Sequence, residues 1–311
     1  MRKECIYSLK APYRDEMHVT GYYFGKGEKA AAIVGAFRGN EVQQLYICSQ
    51  LIKRLRELEE RGAIVANKEI LVIPSVNHYS MNIEKRFWAV DNTDINRMFP
   101  GDVKGETTKR IAAGVFDTIK GYSYGIQFAS FYMPGDFIPH VRMMETGFQN
   151  TSLANLFGLP YVVVRKPNPL DTSTLNYNWQ QFETSAFSVY TNETDFIDEE
   201  SASQGVSAVL RFLTRMGIIR YNCHNGFIAS VVEEDELTTV QAPEAGIYRR
   251  LLFPGQEVRR GEVIAEILDP YEGEVKMQVL SPTDGIIFFS HKKPLVIKQD
   301  IVCRIIRRMH E

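Results

Sequence analysis

The sequence predicts an α/β domain with a mixed, mostly parallel sheet covered by helices, followed by a small all-β domain. Two observations carry this. Up to about residue 221, short apolar runs that end in turns alternate with segments of helical period. Beyond it, β-rich runs are broken by Pro-Gly, Arg-Gly, Glu-Gly and Asp-Gly turns, and no helical period is visible. The division is placed at 1–222 and 223–311.

Each element has its own warrant. "KAAAIVGAF" is an apolar run ending in a turn, the pattern of a buried strand. Val42, Leu45, Cys48, Ile52 and Leu55 then recur at three- and four-residue steps until Gly62, which predicts an amphipathic helix with a glycine stop. "EILVIPSVN" reads as a second strand and "GETTKRIAAGVFDTIKG" as a second helix. "YGIQFASFY", "LPYVVVRK" and "SAFSVYT" read as further strands, and "SASQGVSAVLRFLTRMG" as a helix. In the C-terminal part, "APEAGIY" and "SPTDGII" are similar, which suggests a pseudo-symmetric pair of hairpins.

Composition bounds the function. The chain has 311 residues, 44% hydrophobic and 24% charged, ordinary for a folded soluble domain pair. A formal net charge of −2 supplies no field to recruit nucleic acid or an acidic membrane surface. The basic end "RIIRRMHE" reads as a solvated face, and "MRKECIYSLKAPYRDE" lacks a signal peptide's apolar run. No stretch approaches the roughly eighteen apolar residues of a membrane span. The four cysteines are scattered, with no paired spacing. The expected location is the cytoplasm, with a small-molecule carboxylate or amide as partner and a homo-oligomer as one possible assembly.

Two stretches carry candidate chemistry. "GAFRGNE" is a small-residue turn between a strand and a helix, with Arg38 three residues before Glu41. Histidine at that spacing from the glutamate would place two ligands on one metal, but arginine is permanently cationic and cannot coordinate zinc. Residues 75–101, "SVNHYSMNIEKRFWAVDNTDINRMFPG", show neither helical nor strand period, yet contain Phe87, Trp88, Met98 and Phe99 as anchors. Arg86, Asp94, Asn96 and Arg97 lie among these anchors. They can form loop salt bridges, or a clamp in which guanidinium forks grip a carboxylate.

Together these stretches resemble the succinylglutamate desuccinylase/aspartoacylase family, relatives of the zinc carboxypeptidases. "GAFRGNE" is similar to that family's Gly-x-His-Gly-Asn/Asp-Glu turn, and "DINRMFPG" to its Asp-Leu-Asn-Arg-x-Phe-Pro-Gly stretch. "YGIQFAS" falls where the family has an Asp-Leu-His strand, and "AFSVYT" where a strand carries a catalytic glutamate. The C-terminal segment resembles the family's lipoyl- or biotinyl-like β-domain. The resemblance implies a carboxypeptidase-like fold and the cleavage of amides of amino acids.

Carried over by position, the resemblance puts the first zinc histidine at Arg38, the glutamate ligand at Glu41, the second histidine at Ala129 and the water-activating glutamate at Tyr190. The neighbouring aspartate falls on Gln127, and the substrate-carboxylate residues on Arg86, Asn96 and Arg97. The binding half is kept and the chemical half is not. A catalytic zinc needs about three protein ligands and an open position. Without it, water keeps a pKa near 15.7 instead of near 7. A tyrosine, ordinarily titrating near 10, is a poor base at neutral pH. The expectation is therefore a ligand-binding protein without cofactor, in which Arg38 stands where the metal charge would be and Tyr190 donates a hydrogen bond to Glu41. The other expectation is an active, zinc-dependent amidohydrolase with its site rearranged around Glu41 and His140.

Other candidates are weaker. His140, in "GDFIPHVRMME", has Asp136 and Glu145 nearby in sequence, but a single histidine is commonly a core residue. Cys48 lies on an apolar helical stripe, and Cys223 and His224 as strand neighbours point apart. His78 adjoins the long loop, and "SVVEEDEL" is a solvated edge. Lys276 in "EVKMQVLSP" is too close to Ser281-Pro282 to occupy the exposed tip that biotinylation requires.

Overall fold

The computed structural model describes residues 1–10, 15–131, 133–192 and 194–308. Parts of four expectations lie outside the described residues: positions 11–14 of the charged N-terminal segment, Tyr132 of a strand, Glu193 of the loop after another, and 309–311 of the basic tail.

The first strands are Arg2–Leu9 (β1), Met17–Gly25 (β2) and Gly27–Ala36 (β3), followed by helix Val42–Glu60 (α1), strand Asn67–Ser75 (β4) and the single turn His78–Met81 (α2). Helix Thr107–Ile119 (α3) then leads to strands Tyr124–Phe128 (β5), Gly135–Phe137 (β6) and His140–Met144 (β7). Helix Thr151–Asn155 (α4), strand Tyr161–Arg165 (β8), helix Leu175–Gln181 (α5), strand Ser185–Tyr190 (β9), helix Glu199–Arg215 (α6) and strand Ser230–Glu233 (β10) complete the α/β part. Nine of these strands form one sheet in the order β1-β2-β4-β3-β5-β9-β7-β8-β10. The links β4-β3-β5-β9 and β7-β8-β10 are parallel, while β9-β7 and the β1-β2-β4 edge are antiparallel. The fold is thus mixed α/β with a mostly parallel sheet, as the sequence predicts.

Helices cover both faces. On one, Ile47, Leu51 and Leu55 of α1 share a core with Val209 and Phe212 of α6. On the other, Ile111, Val115 and Phe116 of α3 pack with Trp179 of α5 and with Trp88 and Phe99 of the long loop. Central strands buried on both faces read as continuous apolar runs, which is why β3, with seven consecutive buried residues, was legible. Strands β1, β2, β7 and β10 did not appear in the sequence reading. The first carries Arg2, Lys3 and Glu4 on an open edge, and β7 places His140 and Arg142 inside the protein.

The C-terminal part has two antiparallel sheets. Thr238–Gln241 (β11), Gly246–Arg250 (β12), Glu257–Val258 (β13), Val263–Leu268 (β14), Val275–Leu280 (β15), Gly285–His291 (β16), Leu295–Val296 (β17) and Ile301–Arg307 (β18) supply their strands. They form the orders β11-β18-β16-β13 and β15-β14-β12-β17 around one apolar core. The two similar segments open β12 and β16, one in each sheet. Lys276 sits within β15 rather than at a hairpin tip.

The division at 222/223 does not coincide with the break between sheets. Strand β10 still pairs in parallel with β8, because Val232 fills the apolar layer beside Val163. In the other direction β6 leaves the α/β part and pairs with β16, and Phe131, Phe137, Phe288 and Phe289 close the seam.

Candidate functional site

The carboxyl ends of β3, β5 and β9 lie side by side, the position at which open α/β sheets place ligands. Phe37 and Arg38 leave β3 there, Ala129 and Ser130 leave β5, and Tyr190 ends β9. Gly39 makes the turn possible: a Cβ on it would fall 2.2 Å from the Lys85 carbonyl oxygen and 2.4 Å from the Ser80 carbonyl carbon. Its N–H instead donates to the Arg86 carbonyl at 3.0 Å, which fastens the long loop over the turn.

Arg38 turns inward. Its Nη1 donates to Glu41 Oε1 at 2.9 Å and to Ser130 Oγ at 3.0 Å, and its Nε and Nη2 donate to Asp94 Oδ2 at 3.2 and 2.8 Å. Glu41 Oε2 accepts the Phe37 and Arg38 N–H groups at 2.8 and 3.0 Å, while the Ser130 hydroxyl donates to Oε1. Arg38 is 8% exposed and Glu41 1%. Burial works against the Arg38 cation, but Glu41 and Asp94 more than reverse this and hold its pKa above the ordinary value. The expected hydrogen bond from Tyr190 to Glu41 is replaced by the one from Ser130, because Tyr190 stacks on His140 at 5.0 Å instead.

Arg86, Asn96 and Arg97 do come together. They border a pocket behind the Arg38 ion pair, and both arginines also line an outer cleft of about 500 Å³. Asp94 caps the short turn Ile95–Arg97 by accepting the Asn96 N–H at 3.1 Å, which aims the two following side chains. Asn96 Oδ1 accepts from Gln127 Nε2 at 3.2 Å, so Gln127, at the family's aspartate position, orients the amide. Arg97 donates to the Leu170 carbonyl at 2.8 Å and faces Asp94 and Asp171 at 3.7 and 3.9 Å. Arg86 has no ion pair or side-chain hydrogen bond among the described residues, and burial, then Arg38, lower its pKa. Lys293 reaches the outer cleft from the β-domain.

His140 does not join Glu41. It is fully buried, its Nδ1 lies 2.8 Å from the Ile138 carbonyl oxygen, and its ring lies flat on Tyr190. Burial, with Arg142 adding to it, lowers its pKa to about 3. Its sequence neighbour Asp136 pairs with Arg250 of the β-domain at 2.6 Å. Three site residues were missed. Asp94 was noted only as a loop polar group, and Ser130 carries no motif. Arg142 lay in a stretch not read as a strand; its guanidinium is 4.7 and 4.9 Å from the Phe131 and Tyr190 ring centres. A charge amid the apolar run "FIPHVRMM" was the available signal.

A model of the succinylglutamate desuccinylase/aspartoacylase catalytic domain matches residues 28–216, more than half of the chain. The chain belongs to this family. Over 289 residues it is 23% identical to the N-α-acetyl-L-2,4-diaminobutyric acid deacetylase of Halomonas elongata, covering 84% of this chain and 78% of that protein. Its fold is shared with a succinylglutamate desuccinylase/aspartoacylase from Rhodobacter sphaeroides (TM-score 0.77, 21% identity, 95% and 91% of the two chains). The product-bound ectoine utilization protein EutE from Ruegeria pomeroyi also shares it (TM-score 0.76, 15% identity, 93% and 89%).

The residues that the resemblance sets at the family's zinc position do not fit the metal. Arg38 has no lone pair to give, Ala129 has no polar atom, and both Glu41 oxygens are engaged by the arginine, the serine and two backbone N–H groups. Among the described residues no three His, Cys, Asp or Glu side chains gather in a group able to hold a metal ion. None of their helices is long and apolar enough to cross a membrane.

Proposed function

We propose that this chain is a ligand-binding member of the succinylglutamate desuccinylase/aspartoacylase family that holds a small carboxylate, an N-acyl amino acid or a short peptide without the family's zinc hydrolysis. The observation that carries the reading is the Arg38–Glu41 ion pair at 2.9 Å, a fixed cation at the metal position. With both carboxylate oxygens occupied, a metal must displace a buried guanidinium and leave it uncompensated, which costs several kcal/mol. Arg86 and Arg97 supply forked donors beside it, and charge-assisted contacts of this kind contribute about 1.5–3 kcal/mol each. The names of the relatives, a deacetylase of an N-acetyl amino acid among them, support an acylated amino acid as the ligand. No rearranged metal site around His140 is favoured, since that imidazole is tied to Ile138 and Tyr190.

The test uses untagged protein. Elemental analysis should find no stoichiometric zinc, and chelators should leave the melting temperature unchanged. N-acetyl amino acids should raise the melting temperature of the parent by mass action, and Arg97→Ala should lose that rise while remaining folded. One equivalent of zinc that persists through dialysis, or zinc-dependent release of an acyl group, would sink the reading.

A further inference from the structure

The α/β part pairs with β16, in one of the two C-terminal sheets. The other sheet, β15-β14-β12-β17, turns Tyr248, Ile267 and Val279 into the core of the β-domain. Alternation along the strands puts the chain neighbours of these residues on its outer face. There Val275, Leu268, Ile247 and Leu295 are successive register partners, one apolar row across all four strands. Val263 and Leu280, also register partners, form a second apolar group with Leu251, whose N–H donates to the Ile264 carbonyl at 3.1 Å. Leu295 is 66% exposed, Leu280 49% and Val275 47%, so the face is open. Between the two apolar groups Arg249 lies opposite Glu266, and its Nε, at 2.9 Å, and Nη2 both donate to that carboxylate.

Single exposed aliphatic side chains are ordinary, but a row in register on a sheet face is a contiguous patch, and such patches mark interaction surfaces. This one is symmetric about the line between β12 and β14. A two-fold axis along that line, in the plane of contact, sets Ile247 of one copy on Leu268 of a second and Leu295 on Val275. The same rotation sets Arg249 on Glu266 of the second copy, closing two ion pairs into a ring of four charges. An axis across the strands would instead set Arg249 on Arg249 and Glu266 on Glu266. An unrelated partner must bring both apolar groups and an inverted charge pair, which a second copy supplies by symmetry.

We propose that the outer face of the β15-β14-β12-β17 sheet is a dimerisation surface, occupied by the same face of a second copy about the axis along the strands. Two sheets packed face to face with nearly aligned strands is the ordinary sandwich arrangement. The contact is isologous, so each pairing occurs twice. The Arg249–Glu266 pair fixes its register, since a slide along the strands would set these charges on the apolar rows. The inference is independent of what the cleft binds.

Sedimentation velocity on the full chain over a dilution series tests it. The expected result is a dimer that dissociates in about the micromolar range or below. Leu295→Asp should weaken the dimer at least about tenfold, since it puts a charge into the apolar row. Arg249→Glu should weaken it as well, and adding Glu266→Arg should restore it. That exchange covers the case in which Leu295→Asp does not fold. A chain carrying both Val275→Cys and Leu295→Cys should oxidise to a covalent dimer. Within one chain these positions lie on the two outer strands, about 14 Å apart, beyond the roughly 7 Å that a disulfide spans. The parent, oxidised alongside, gives the background from the exposed Cys5. A parent that stays monomeric throughout the series overturns the proposal. So does a dimer that neither Leu295→Asp nor Arg249→Glu weakens, or one that the two added cysteines do not link.

Discussion

Arg38 shows how one substitution can retain a site's charge while removing its chemistry. Its side chain is about one-tenth exposed and serves two carboxylates, so Arg38→Ala leaves Glu41 buried without a cation and Asp94 with only the Arg97 contact at 3.7 Å. We expect a loss of about 2–4 kcal/mol in denaturant unfolding, against near zero for an exposed arginine such as Arg54. Restoring the family's ligands with Arg38→His and Ala129→His should begin to recruit zinc, measurable by elemental analysis, yet hydrolyse poorly without a base at Tyr190. His140 gives a pH prediction. Its folded pKa of about 3 lies below the unfolded value, so the unfolded chain binds more protons as pH falls. Its contribution is fully present above about pH 6.5 and is lost progressively towards pH 3, with a slope near 1.4 kcal/mol per pH unit. His140→Phe should flatten the stability profile between pH 6 and 4. An unchanged slope would show the imidazole to be solvated. Sequence spacing was enough to place Arg38 beside Glu41, because three residues across a turn share one side. It was not enough to find Asp94 and Ser130, whose approach depends on how a loop and a strand end pack.

At the scale of elements, period decided what was legible. β3 is buried on both faces and reads as a continuous apolar run, whereas α1 and α3 bury a face that repeats every three to four residues, and these patterns survive in the sequence. β7 could not be read because two polar residues interrupt its buried run: His140, stacked on Tyr190, and Arg142, which lines the pocket. The long loop between β4 and α3 has no period, yet it is held as firmly as an element. Trp88 and Phe99 enter the α3 core, and the Gly39 N–H fixes the Arg86 carbonyl. Trp88→Ala should therefore cost about 3–5 kcal/mol, as for other buried aromatics. It should also weaken N-acyl amino acid binding beyond what the lost stability explains, since Arg86 sits two residues before the anchor. Calorimetry on the folded fraction separates the two effects; unchanged affinity would show that the clamp does not need the loop's anchor.

Across the whole molecule, the α/β and β parts are joined by paired strands, by an aromatic seam and by carboxylates, Asp136 and Glu234 among them. Glu234, after β10, faces Arg142 of β7, Arg165 of β8 and Arg304 of β18 at 2.9–3.5 Å. It was read from sequence as part of a solvated acidic edge, and no local pattern distinguishes it from Asp235, which is exposed and pairs with Lys166. Only the arrival of three distant strands does. Burial works against its charge, but the arginines more than offset this and hold the carboxyl below its ordinary pKa. A depressed folded pKa means the stabilisation is present above the unfolded carboxyl value and is lost as pH falls through the folded one. Glu234→Gln keeps the shape and leaves three guanidiniums without this counter-ion. It should lower stability at neutral pH by about 3–5 kcal/mol, the range for removing one partner of a buried pair. Below the folded carboxyl pKa the parent's own Glu234 is protonated, so the gap between parent and variant should shrink on acidification. Paired unfolding curves across that range test this. A gap that stays constant with pH would show that Glu234 acts by shape alone, and that charge does not hold the two halves together behind the cleft.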